Sequence, residues 1–264
     1  MNLQAYSLKR YQKWLLPVGI LAILTWGAAW VCKASLDKLN LGLITGFSFL
    51  GQFFPPDFEA FKELVFPAIQ SIIIALLGTF FGTIISLFFG LAAASNIAPA
   101  WLRNTIRFLL GMERALPEIV ILLILVAAFG MGPFAGVLSL TIGCVGMLGK
   151  LIGDAIEELD PMTIESIQAV GAGRMQVMLY GVIHQIIPSI ISFALFRFEL
   201  SIRLSVVLGA VGAGGIGLEL YHSFSLLDYR RAGSALILTL VMVFLTERLS
   251  SVIRKKIKLE RTLL

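Results

Sequence analysis

The sequence predicts an all-α, polytopic transmembrane helical bundle of about six spans. Three observations carry that expectation. The 264-residue chain is 58% hydrophobic and only 14% charged, with a mean hydropathy of +0.92, whereas soluble chains are about a quarter charged. Residues 64–102 contain no charged side chain, and roughly 20 apolar helical residues suffice to cross a bilayer core. Finally, the basic residues fall in clusters at the ends of apolar runs. A soluble enzyme, a disordered chain and a disulfide-stapled secreted scaffold are all excluded.

The first span is placed at 14–32, behind Lys9, Arg10 and Lys13. A cleavable signal has an apolar core of roughly 7–15 residues and a small-residue cleavage site. This stretch is longer, and Trp30 and Val31 directly precede Cys32, so it reads as a retained span. The second span covers 67–95. The uncharged run 119–149 is divided into spans at 108–131 and 134–153 by the turn signal Gly130-Met131-Gly132-Pro133. The third span must then carry Glu113, Arg114 and Glu118 near its cytoplasmic end, with Pro117 as a kink. Spans five and six lie at 186–210 and 232–252. The expected organisation is an N-terminal tail, first span and external loop over 1–60, followed by a core of five spans over 61–264.

Charge placement sets the orientation. Lys9, Arg10 and Lys13 at one end, and Arg248, Arg254, Lys255, Lys256, Lys258 and Arg261 at the other, both favour the cytoplasm. An even number of spans satisfies both ends. The formal charge of +5 and the pI near 9.4 therefore reflect cytoplasmic basic segments beside membrane lipid, and no nucleic-acid partner is implied. Cys32 and Cys144 both lie in apolar stretches, so no disulfide is expected. His184 and His222 fall on opposite predicted sides, which leaves no zinc-type cluster.

The longest cytoplasmic connection, about 154–185, opens on Asp154, Glu157, Glu158 and Asp160. Asp160-Pro161 reads as an N-cap followed by proline at the first helical position. A short helix follows through residue 170, Gly171-Ala172-Gly173 breaks it, and a second helix runs from Arg174 to about Ile186. On the residues alone, this hairpin is either a plain loop or a docking element whose small Ala169, Gly171 and Ala172 admit a close neighbour.

Span five carries Arg197, Glu199 and Arg203, the arginines about 16 and 25 Å deep when counted from Ile186. Ionisable groups at such depth face a bundle interior or a water-filled path. Glu199 and Arg203 are spaced i,i+4 and expected to pair on one face, while Arg197 points elsewhere. The three either form interhelical ion pairs or lend positive potential to the path of an anion, for which a guanidinium fork is suited. Beyond them, Gly212, Gly214 and Gly217 fit G-x-G-x-x-G, but they follow a membrane span instead of a strand. Nucleotide binding is excluded in favour of a tight external turn or re-entrant loop.

Several of these segments together bear a family resemblance. Glu165-Ser166-Ile167-Gln168-Ala169-Val170-Gly171-Ala172 resembles the "EAA" loop of ABC-importer permeases, with Ile186-Ile187-Pro188 in place of the Pro-containing stretch that follows. The family often has an earlier proline where this chain has His184. Arg114-Ala115-Leu116-Pro117 resembles the family's Arg-x-x-Pro at the end of a core helix. The segment 211–217 resembles the glycine-rich stretch of the methionine and phosphonate branches. Phe53-Phe54-Pro55-Pro56-Asp57-Phe58, Gly132-Pro133-Phe134-Ala135-Gly136 and Arg197-Phe198-Glu199 with Arg203 are together similar to phosphonate-import permeases, whose phosphite relatives are close.

The resemblance implies a type I ABC-importer, methionine-permease-like fold in a bacterial plasma (inner) membrane, with both termini cytoplasmic. It implies a subunit that forms the path for phosphonates or phosphite, and is not itself an enzyme. Glu165, Ala169, Gly171 and Ala172 would couple to a separate ATPase. On depth and charge alone, Arg197, Glu199 and Arg203 are expected to belong to the path, and Gly212, Gly214, Gly215 and Gly217 to an external gate loop. The implied partners are a second permease copy (a homodimer), two ATPase subunits that hold ATP and Mg, and a periplasmic or extracellular phosphonate-binding protein. No phosphate-loop motif occurs in the sequence, and no cofactor or metal is expected in this chain. An integral membrane enzyme using the acidic run from Asp154 to Asp160 stands as the alternative. A self-sufficient carrier would need an internal repeat, and none is visible.

Overall fold

Small residues at every fourth position decide how closely the central helices approach. In a computed structural model, helix α3 (Ala60–Ala93) lies along helix α6 (Pro133–Glu157), with Gly78, Gly82, Ser86 and Gly90 in the seam. A Cβ on Gly78 would meet Leu140 Cβ at 2.6 Å, and one on Gly90 would meet Ile152 Cγ2 at the same distance. Between apolar helices in lipid, close backbone approach supplies the dispersion contacts that drive association, so glycine is favoured there. The structure describes residues 3–33 and 35–263; for 3–13, 15, 16, 36 and 258–263 it describes the backbone only. The side chains of Lys9, Arg10, Lys13, Lys258 and Arg261, used above for orientation, thus lie outside the described set.

The chain divides between Phe54 and Pro55 into two units. The first holds α1 (Leu3–Val31) and α2 (Leu36–Gly51). The sequence assigned 33–60 to an external loop; α2 forms there because Ser35 caps it, its hydroxyl accepting from the Lys38 N–H at 3.3 Å.

The second unit is the bundle. After α3 come α4 (Ala100–Ala115), α5 (Glu118–Phe129), α6, the short α7 (Pro161–Ala169) and α8 (Arg174–Gln176). A π-helical stretch, Val177–Ile183, leads into α9 (His184–Leu208), and a second, Gly209–Ala213, ends it. The unit closes with α10 (Ile216–Ser225) and α11 (Tyr229–Leu263). Among the described residues, four helices are long and apolar enough to cross a membrane: Ala60–Ala93, Pro133–Glu157, Arg174–Ala213 and Tyr229–Ile257. Pro17–Val31 and Glu118–Phe129 are shorter apolar helices.

Two expectations change. The third span, placed at 108–131, is two helices. Pro117 disfavours helical geometry at Leu116, and both residues are extended (φ −86°, ψ 128° and φ −61°, ψ 133°). The apolar part, α5, is 12 residues, about 18 Å of helix. Likewise, the second arm of the hairpin does not end near Ile186 but runs on into span five. With histidine at 184, no backbone donor is lost there, and the helix passes Pro188 unbroken.

Candidate translocation path and coupling hairpin

The hairpin is built as its residues require. Asp160 Oδ1 accepts from the Met162 N–H at 2.9 Å, and Pro161 takes the first turn of α7. Gly171 then adopts φ +84°, a left-handed conformation that favours glycine, and Gln176 Oε1 accepts from the Gly173 N–H. Gly181 of the π-helical arm packs on Ile164 and Ile167 of α7. Met162, Val170 and Met175 remain exposed, which gives the hairpin an apolar outer surface. A cavity of about 390 Å³ beneath it is lined by Gln168, Ala172 and Arg174 together with Asn96 and Ile97. Glu165 lies on α7 and Ala169 ends it.

Behind the hairpin, Arg107 links helix ends. Its Nε donates to Ala93 O at 2.9 Å, and its guanidinium pairs with Glu157 at 2.6 Å. Glu157 also accepts from the Ser95 N–H. Asn96 Nδ2 donates to Ile156 O at 2.9 Å. Within the acidic run, then, Asp160 is a helix cap and Glu157 a structural ion pair, and among the described residues no three acidic, His or Cys side chains converge on a metal-sized site.

The three charges of α9 separate by face. Arg197 is buried (side chain 5% exposed) and its guanidinium meets Glu118 at 2.6 Å, with Cys144 Sγ 3.2 Å from Nε. Arg203 is 51% exposed and pairs with Glu247 of α11 at 3.5 Å. Glu199 pairs with Arg254, also of α11, at 2.8 Å. The i,i+4 pair expected between Glu199 and Arg203 is thus not made, because α11 offers each a partner of opposite charge.

At the other end of the bundle, the glycine-rich segment is buried backbone and not an exposed turn. Gly212, Gly214 and Gly215 have φ of +110°, +80° and +74°. Unpaired backbone groups in such a place are costly, and α3 satisfies them. Gln70 Oε1 accepts from the Gly215 N–H at 2.9 Å, and Ser71 Oγ from the Ile216 N–H at 3.0 Å. Gly132 N–H donates to Gly212 O at 2.8 Å. Gly217 belongs instead to the first turn of α10, where only a hydrogen in place of Cβ clears the backbone of Val206. Nearer the start of α3, Arg231 bridges Glu63 at 2.9 Å and Glu219 at 3.2 Å.

Residues 86–259 match the family of binding-protein-dependent transport system inner membrane components. The chain belongs to that family. It is an integral inner-membrane transport permease and not an enzyme. The permease is similar to the phosphite transport system permease protein PtxC of Stutzerimonas stutzeri, 38% identical over 84% of this chain and 82% of the relative. It also resembles the putative phosphite transport system permease protein HtxC of the same organism, 36% identical over 94% and 89%. In fold, the permease matches the inward-facing MetNI methionine ABC transporter with a TM-score of 0.65, at 22% identity over 74% of this chain and 95% of that one. This likeness establishes the methionine-permease-like helical fold.

Sequence reasoning did not pair Arg197 with Glu118, 79 positions away, nor the α9 charges with α11. Glu118 was visible only as a charge tolerated near a helix end. Gln70 and Ser71 could have been noticed: they are adjacent polar residues inside an uncharged apolar run, where side chains that hydrogen-bond need a reason.

Proposed function

We propose that this permease forms the path of an ABC importer for phosphite or phosphonates and that a separate ATPase, carrying ATP and Mg, drives it through the hairpin 161–184. Similarity to phosphite permeases over 84% or more of the chain supports the substrate class. A phosphonate- or phosphite-binding protein outside the membrane, two ATPase subunits and a second permease copy complete the assembly, with both termini of this chain in the cytoplasm.

The observation that carries the path assignment is the half-exposed Arg203–Glu247 pair within two apolar helices. Exposed charge on a spanning helix is costly against lipid; it is favourable facing water or a second subunit. Arg203 therefore lines the path, with Glu199 beside it, whereas Arg197 positions α9 against α5 and α6. Glu165, Ala169, Gly171 and Ala172 present the hairpin to the ATPase. The backbone at Gly212, Gly214 and Gly215, with Gly217 packing beneath, forms the outer gate.

Uptake of radiolabelled phosphite by cells expressing the full importer with Arg203→Gln tests the path. Transport should fall at unchanged permease abundance; undiminished transport overturns the assignment. Coupling has its own readout. Gly171→Leu should abolish co-purification of the ATPase or its transport-linked hydrolysis, and survival of both removes the hairpin from that role.

A further inference from the structure

The polar face of α9 continues inward past the path charges and ends in a cavity. At 100° per residue, Ser189, Ser192, Glu199 and Arg203 fall within about 80° of one another on α9. Glu247, Ser251 and Arg254 follow i, i+4, i+7 on α11, also one face. Arg203 meets Glu247, and Glu199 meets Arg254. Next inward lies a cavity of about 430 Å³ lined by Ser189, Ser192, Ser251, Arg254 and Lys255, with Pro188, Phe193 and Ile257 as its apolar walls.

The lining chemistry is one-sided. Two cations and the hydroxyls of Ser189 and Ser251 converge there, the Ser192 hydroxyl donating to Pro188 O at 2.9 Å, and the carboxylate next to it, Glu199, is held by Arg254. Only one guanidinium nitrogen of Arg254 is engaged by Glu199, which leaves further N–H donors, because guanidinium has five. Lys255 is exposed. Hydroxyls and fixed cations together recognise an oxyanion with several acceptor oxygens. The volume far exceeds what a bare halide needs, and the positive charge of Arg254 and Lys255, with no carboxylate in the lining, disfavours a metal cation.

We propose that this cavity binds a tetrahedral phosphorus oxyanion at the inner end of the path. The bound group is either free phosphite or phosphonate on its way out, or the phosphate of an anionic lipid headgroup. The assignment of free substrate rests on the path reading given above; oxyanion binding itself does not.

The purified full-length permease, reconstituted in phosphatidylcholine nanodiscs, is titrated with sodium phosphite by calorimetry. Wild type should bind saturably, and Lys255→Gln and Ser251→Ala should each weaken binding roughly fivefold or more. Both positions lie at the surface or half-buried, and an unchanged unfolding midpoint confirms that each variant folds. The same proteins are then placed in phosphatidylglycerol nanodiscs. Phosphite binding that is lost there in wild type, alongside a raised midpoint absent in the variants, assigns the site to the lipid headgroup. Equal behaviour of wild type and variants toward both phosphite and phosphatidylglycerol overturns the site. Loss of transport in Arg203→Gln with phosphite binding intact would support path and site together. Intact transport in Arg203→Gln with binding lost in Lys255→Gln would reject the path and keep the site.

Discussion

Two faces of α9 carry the same chemistry in opposite settings. Toward α5 and α6, Arg197 is sealed against Glu118 with 5% of its side chain exposed; toward α11, Arg203 meets Glu247 with 51% exposed. The buried face sits beside the seam in which glycines bring α3 onto α6. The exposed face continues into a cavity lined by serines and cations. A buried ion pair is costly to break because the orphaned charge has no water. An exposed pair is screened by solvent and contributes little to stability. Arginine on a spanning helix is therefore not one category. Its burial divides a sealed pair from one that solvent can reach.

The largest effect should come from Glu118→Ala, which leaves Arg197 uncompensated. It should lower unfolding free energy in detergent by about 3–5 kcal/mol. An equal loss from Arg203→Ala would erase the contrast between the faces. Gly82→Ala comes next. Its new methyl would collide with Cys144 on α6, and overpacking of this kind costs about 1–3 kcal/mol. A thermal midpoint equal to wild type would mean that the seam is looser than described. On the exposed side, Gly171→Ala forces a side chain into left-handed backbone and should cost about 1–2 kcal/mol locally. Hydrogen exchange should rise in the hairpin while the spans stay protected; uniform loss of protection would tie the hairpin to the buried face. Glu247→Gln should be smallest on stability, within about 1 kcal/mol, yet lower phosphite uptake. A reversed ranking of Glu118→Ala and Glu247→Gln would break the comparison outright.

Different parts of the molecule were legible to different degrees, for physical reasons. The first arm of the hairpin and its turn could be read almost to the residue, because Asp160, Pro161 and Gly171 act on backbone within one turn of themselves. The apolar runs of α3, α6 and α11 were also legible, since crossing a bilayer needs length and composition alone. The break at Pro117 was anticipated only as a kink. The helix α2 was missed, because its cap is a single serine and its sequence alternates apolar and polar residues without a strong boundary. The partners of Arg197, Glu199 and Arg203 were not legible. The nearest opposite charge along the chain invites an i,i+4 pair, and the choice between it and a distant carboxylate depends on how helices dock.

By itself, then, the sequence determined the class: a helical membrane bundle, the long apolar helices α3, α6 and α11, and the first arm of the hairpin with its glycine. These follow from local backbone preference and from the cost of charge in hydrocarbon, both additive along the chain. Tertiary structure alone decided which arginine is sealed and which stays exposed, which polar residues of α3 satisfy the glycine loop, and that serines and cations from two helices line one cavity. Those outcomes depend on helix rotation and register, and both are set by side-chain packing between segments far apart in the chain.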